Sequence, residues 1–140
     1  MKEALLSIIK DENRIITGQI DPQYLSDNLG RKKGTAEAVV FPVSTEEISG
    51  VMRYAWKNNL PVTPRGAGTN LVGSTVPSGH GIVLDVSLMN HILELDEETF
   101  TATVEPGVVL EDFQAYVESK GLFYPPDPGE KSASVGGNVM

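Results

Sequence analysis

The residues best placed to do chemistry lie between Leu60 and Thr75. A short apolar run, Leu60-Pro-Val-Thr-Pro, ends at Pro64, and Arg65 opens a stretch of small residues interrupted by Gly66, Gly68 and Gly73. Glycine lets the backbone take positive φ and approach a ligand with no Cβ in the way. Successive N–H groups turned inward form a concave nest that suits a phosphate or diphosphate. Arg65, Thr69, Asn70, Ser74 and Thr75 supply polar partners, and the stretch follows a strand-like run directly. It is therefore expected to cradle an anion, with an ordinary Gly/Pro surface turn as the plain alternative.

Two familiar phosphate loops fail here. A dinucleotide fingerprint needs Gly-x-Gly-x-x-Gly opening a helix. Gly66-Ala67-Gly68 begins one, but Leu71 stands where the third glycine belongs, and the residues that follow are not helical in pattern. Gly68 and Gly73 have P-loop spacing, yet Ser74 replaces the lysine that would reach the β- and γ-phosphates. Nucleotide triphosphate hydrolysis is not expected on that ground, and the anion is expected to be held by loop backbone rather than by a helix end.

Composition narrows the partners. The 140 residues have room for one ordinary domain, and a formal net charge of −8 argues against nucleic acid, whose binding rests on Lys and Arg neutralising phosphates. The chain has no cysteine, which rules out disulfides, cysteine-based metal sites and cysteinyl cofactor links. His80 and His91 lie outside any cluster of ligand spacing, so no metal site is expected. The N-terminus lacks the apolar core and cleavage site of a signal peptide, and no stretch is long enough to span a bilayer, so a cytoplasmic location is expected.

The elements that must position the glycine loop follow from periodicity. Lys2 to Lys10 reads as a short amphipathic helix, Ile15-Ile16-Thr17 as a brief strand, and Asp21-Pro22 as the start of a short helix running to Leu29. Arg31-Lys32-Lys33-Gly34 reads as a solvated basic turn. Ala38-Val39-Val40-Phe41 is a buried-type strand. Ser44 and Glu47 form a capping box for a helix whose apolar face is Ile48, Val51, Met52, Ala55 and Trp56. With Leu60-Pro-Val-Thr this makes a right-handed βαβ unit, and the loop leaves the carboxyl end of its second strand, where open α/β sheets bind ligands.

Further on, Gly81 to Val86, His91 to Asp96 and Thr99 to Glu105 are strand-like, the last two joined as a hairpin through Asp96-Glu97-Glu98. Val109, Leu110, Phe113, Tyr116 and Val117 mark a helix that stops at Gly121. The fold class is α+β: a βαβ subdomain over 1–75, then an incomplete antiparallel β-plus-helix subdomain over 76–140. The tail is the second unusual stretch. Prolines bracket Asp127, and small residues lead into Gly136-Gly137-Asn138, a second backbone surface able to lie close to something flat or extended. The abrupt stop at Met140 reads as that of a fragment.

Taken in order, several segments resemble the FAD-binding domain of the vanillyl-alcohol oxidase and p-cresol methylhydroxylase family, in its branch of glycolate oxidase and the D-lactate dehydrogenases. They are Ala38-Val-Val-Phe-Pro-Val-Ser-Thr-Glu-Glu-Ile, Pro64-Arg-Gly-Ala-Gly-Thr-Asn-Leu-Val-Gly, Ile82-Val-Leu-Asp-Val-Ser-Leu-Met-Asn, Val104-Glu-Pro-Gly-Val and Pro125-Pro-Asp-Pro-Gly-Glu-Lys-Ser-Ala-Ser-Val-Gly-Gly-Asn. The resemblance implies that Arg65, Gly66, Ala67, Gly68, Thr69, Asn70, Gly73 and Ser74 wrap the FAD diphosphate. It implies equally that Pro126, Asp127, Ser134, Gly136, Gly137 and Asn138 lie along the flavin and ribityl chain. Thr69 stands where some relatives attach flavin through histidine, which implies non-covalent FAD. Implied too are oxidation of a 2-hydroxy acid such as glycolate or D-lactate by hydride transfer to the flavin, and electron exit to a redox partner protein or quinone. Family members carry a substrate-binding domain that supplies catalytic groups; it is absent from these residues, which contain no identifiable catalytic acid or base. The segment alone is expected to be inactive and to self-associate through an exposed sheet edge. A stand-alone, non-catalytic anion- or nucleotide-binding module is the alternative.

Overall fold

Two runs, Ala38-Val39-Val40 and Ile82-Val83-Leu84, are apolar without alternation, the pattern of strands covered on both faces. In the computed structural model, which describes residues 1–140, they lie side by side at the centre of a four-stranded sheet. In chain order, helix α1 (Lys2–Ile9) is followed by β1 (Ile15–Thr17), β2 (Ala36–Val40), helix α2 (Thr45–Lys57), β3 (Val62–Arg65) and β4 (Gly81–Asp85). Then come β5 (Ile92–Asp96), β6 (Thr101–Val104), helix α3 (Leu110–Glu118) and a short helix α4 (Val135–Val139).

The strand order is β1-β2-β4-β3, with β1 antiparallel to β2 and the other neighbours parallel. The β2–α2–β3 unit has its strands parallel as expected, but β4 is inserted between them. The α/β part therefore runs to Asp85 instead of ending near Thr75: Ile82, Val83 and Leu84 are apolar enough to be central, and only the middle of this sheet covers both of their faces. The register sets Val62 beside Ile82 and Arg65 beside Asp85 at the carboxyl end of the strands.

One face of the sheet is covered by α1 and α2, whose Leu5, Ile9, Val51 and Ala55 pack on Ala38, Val40, Ile82 and Leu84. The other is covered by Ile20, Tyr24 and Leu25 against Val39 and Val83. Helix α2 starts as its sequence demands: Ser44 Oγ accepts from the Glu47 amide at 3.2 Å. The Glu47 carboxylate reaches back to the Val43 amide and also clamps the Arg14 guanidinium through both oxygens, at 2.6 and 2.9 Å. Of the apolar face expected on α2, Val51 and Ala55 are buried, but Met52 is half exposed and Trp56 is 85% exposed. At 3.6 residues per turn these two sit about 100° round from Val51 and Ala55, beyond the edge of the covered stripe. The helix expected over Asp21–Leu29 is a single 3-10 turn, Pro22–Tyr24. Beyond it, the buried Asp27 carboxylate accepts the Arg31 amide at 2.9 Å and turns the chain back.

The hairpin and α3 form a smaller unit around Val108, Phe113 and Val117, with Tyr124 edge-on to Phe113. Asp96 Oδ1 accepts the Glu98 and Thr99 amides to make the hairpin turn, and Gly121 follows α3 at φ 74. Leu95, Phe100, Val104, Phe113 and Phe123 line an open apolar groove of about 410 Å³ on this unit. The Gly107 amide joins this unit to the chain after β4 by donating to Met89 O at 2.7 Å, and the Val135 amide holds the tail on the unit by donating to Val108 O at 2.8 Å. No helix is long and apolar enough to cross a membrane.

Candidate functional site

The glycine loop leaves β3 at Arg65 and returns to the sheet at Gly81. Asn70 organises it from within, its Oδ1 accepting the Val72 amide at 3.1 Å and the Ser74 amide at 2.9 Å. Its carbonyl takes the Asn28 amide at 3.0 Å, and the Val76 amide donates to Gly73 O. The amides of Gly66, Ala67, Gly68, Thr69, Asn70, Leu71, Gly73 and Thr75 donate to no protein acceptor. Backbone N–H groups are obligatory donors, so this run is left to solvent or to an anion. The Asn70 side-chain oxygen and the Ser74 amide are spent on the loop's own shape, while the Asn70 amide stays free.

Arg65, expected among the residues that wrap the diphosphate, keeps its side chain within the fold: it is only 10% exposed and its Nε lies 3.6 Å from Asp85 Oδ2, with Asp85 itself buried. Asp85 Oδ1 meanwhile accepts the Ser87 amide. The guanidinium sits over the Tyr24 ring, Cζ 5.5 Å from its centroid. Burial, followed by the Asp85 charge, pushes the Tyr24 phenol above its ordinary range. Gly68 closes over the guanidinium at φ 76, and a Cβ there would collide with it. The cause is register: pairing Arg65 with Asp85 turns the cation into the fold. Its Nη1 nevertheless stays buried without a partner, as does Thr75 Oγ1.

The tail reaches the loop at Ser134. A Cβ on Gly66 would collide with Ser134 Oγ, so these two residues are packed together. Ser134 is buried and caps α4, accepting the Gly137 amide at 3.3 Å. The Gly136 amide donates to Pro106 O and the Asn138 amide to Ser134 O. The backbone of this second segment is thus largely occupied, although Gly137 and the Asn138 side chain remain exposed. Pro126 and Asp127 lie on exposed chain beside α3, with Gln114 Nε2 donating to Pro126 O.

Sequence reasoning missed three contributors. Asp85 was legible as a carboxylate ending an apolar strand, but its partner was not. Tyr24 and Lys32 reach the loop from an N-terminal segment that carries no motif. Lys32 Nζ donates to Val72 O at 3.3 Å, and its methylenes lie against Gly73. The turn expected to be merely solvated is therefore part of the loop's surroundings.

A diphosphate fits this arrangement. Consecutive unpaired amides, two of them on glycine, offer donors, and a buried guanidinium paired with Asp85 keeps one N–H unused behind them.

A model of the family described as "FAD binding domain" matches residues 36–140. Glycolate oxidase subunit GlcD of Bacillus subtilis is 43% identical over 99% of this chain and 30% of its own length. D-lactate dehydrogenase of Anaerostipes hadrus is 42% identical over 90% of this chain and 27% of its own. Among solved structures, 4-ethylphenol oxidase from Gulosibacter chungangensis superposes with a TM-score of 0.85 at 27% identity, over 99% of this chain and 28% of that one. The chain thus spans about a third or less of each of these relatives. With a loop of unpaired amides at the end of its parallel strands, the chain belongs to the FAD-binding domain family, in the vanillyl-alcohol oxidase and p-cresol methylhydroxylase group of flavoproteins, and its cofactor is FAD.

Proposed function

We propose that the chain is the FAD-holding part of an oxidoreductase that oxidises a 2-hydroxy acid of the glycolate or D-lactate type. The observation that carries this reading is the run of unpaired amides from Gly66 to Leu71, in a chain 43% and 42% identical to proteins named for those substrates. The amides of Gly66, Ala67, Gly68, Thr69, Leu71 and Gly73 are the groups to receive the diphosphate. Arg65, held between Asp85 and Tyr24, contributes its charge from behind the loop. Asn70 and Ser74 set the loop's shape, and Ser134 locks Gly66 in place. Gly136, Gly137, Asn138, Pro126 and Asp127 stand as the flavin-side residues, of which Gly137 and the Asn138 side chain are free to make contact. When bound, the flavin accepts the hydride. Catalytic acid–base groups and substrate ligands come from outside these residues, and a redox partner protein or quinone takes the electrons. Thr69 and the absence of cysteine favour a dissociable flavin. The two-stranded β5–β6 sheet has both outer edges unpaired, which favours self-association of this segment.

Titrating the chain with FAD tests the reading. Flavin fluorescence is expected to be quenched as the complex forms, and acid precipitation to release all the flavin into the supernatant. Undiminished fluorescence at high protein concentration would remove the assignment.

A further inference from the structure

Residues matched by the family begin at 36, yet the glycine loop is held largely by what comes before. Ile20, Tyr24 and Leu25 cover the face of the sheet formed by Val39 and Val83, and the Tyr24 ring also packs edge-on against Phe41. From there the segment touches the loop repeatedly. Tyr24 backs the Arg65 guanidinium, the Asn28 amide donates to Asn70 O, and Lys32 Nζ donates to Val72 O. Gly34 lies against Pro77 O, and Thr35 Oγ1 donates to Gly79 O at 3.3 Å. The buried Asp27 carboxylate holds the turn that delivers Asn28 and Lys32.

Each hydrogen bond from this segment to the loop is made to a loop carbonyl. In a trans peptide the C=O of one residue and the N–H of the next point in opposite directions. Fixing Asn70 O toward Asn28 therefore turns the Leu71 amide away from the segment, and fixing Val72 O toward Lys32 does the same for Gly73. Leu71 and Gly73 are among the amides that find no protein acceptor. We propose that Asp21–Thr35 is a brace that aims the loop's N–H groups at the diphosphate, with Tyr24 and Lys32 as positioning residues. This rests on the FAD assignment for the ligand, while the brace itself is a property of the chain alone.

The test uses the full chain with Tyr24→Ala, Tyr24→Phe, Lys32→Ala and, as a charge-matched control, Lys33→Ala. Two quantities are measured: the rate of tryptic cleavage at Arg65–Gly66 without cofactor, read by mass, and FAD affinity by fluorescence quenching. Trypsin must extract the Arg65 side chain to cut there, so the rate reports its release. Tyr24→Ala is expected to speed that cut and weaken FAD binding by about tenfold, as loss of a desolvated cation–π contact does. Tyr24→Phe keeps the ring and should match the parent in both. Lys32→Ala should weaken FAD roughly threefold, the order of one lost hydrogen bond, and Lys33→Ala should not. A folded Tyr24→Ala chain cut at the parental rate overturns the brace, as do equal effects of Lys32→Ala and Lys33→Ala. If Tyr24→Ala does not fold, the lysine pair decides. If FAD binds none of the chains, the proposed function fails, while the cleavage rates still decide the brace.

Discussion

The four-stranded unit and the hairpin unit each contribute one glycine-rich segment, and they treat it in opposite ways. In the first, nine buried hydrophobic residues form one cluster between the sheet and two helices, and the loop that leaves it keeps most of its amides unspent. In the second, three buried residues sit beneath an open groove, and the segment entering α4 spends its amides on Pro106 and Ser134. A well-packed support can present unsatisfied backbone to a ligand. A poorly covered one uses its backbone to stay attached. Glycine content alone does not separate these cases.

The widest gap between the units should come from their ion pairs. Glu47→Gln leaves Arg14, 17% exposed, with only the more exposed Asp11 as counter-charge and should destabilise the chain by about 2 kcal/mol in urea unfolding. Glu105→Gln, whose partner His91 is mostly exposed, should cost less than about 1 kcal/mol. Equal losses would erase the contrast. Next come matched core truncations. Val83→Ala should cost about 2–3 kcal/mol, and Val117→Ala about 1 kcal/mol with the loss confined to hairpin and α3 signals in NMR spectra, because an open groove collapses more easily.

Glycine substitutions should then cross over. A Cβ on Gly136 would sit 2.7 Å from Pro106 O, so Gly136→Ala should lower stability by about 1–3 kcal/mol. Gly68→Ala, at positive φ over the guanidinium, should cost less stability than FAD affinity, which should drop by about tenfold or more in the fluorescence titration. The gentlest effect is acid sensitivity. Hydrogen bonds from Arg14 hold the Glu47 carboxyl below its ordinary value of 4.5, and the His91 amide does the same for Glu105. A depressed carboxylate stabilises fully above its unfolded value and stops doing so as pH falls through the folded one. Melting temperatures should thus decline below about pH 4.5, and Glu47→Gln should flatten that decline more than Glu105→Gln does.

Much of this was legible from local pattern. The α2 cap, the hairpin turn at Asp96, the Gly121 stop and the strands all follow from residues within a few positions of one another. What was hidden depends on long-range pairing. The insertion of β4 between β2 and β3 decides that Arg65 meets Asp85, and so converts a presumed ligand group into a buried support. The exposure of Trp56 depends on how narrow a stripe of α2, centred on Val51 and Ala55, the sheet and α1 cover. The occupied amide of Gly136 depends on Pro106 arriving from the hairpin. The free loop was readable because glycine, proline and small residues suit few other uses at the end of a strand; the Tyr24 and Lys32 contacts were not, because no spacing rule links them to it.

Neighbouring parallel strands are ordinarily joined by a crossover that travels back along the sheet, most often as a helix. Between β3 and β4 that return journey is made by residues 66–80, which contain no helix. The ligand loop is therefore also the tether that lets the central strand reach its slot. Residues 66–80 thus answer to two demands, what the loop grips and the return along β3 that it completes.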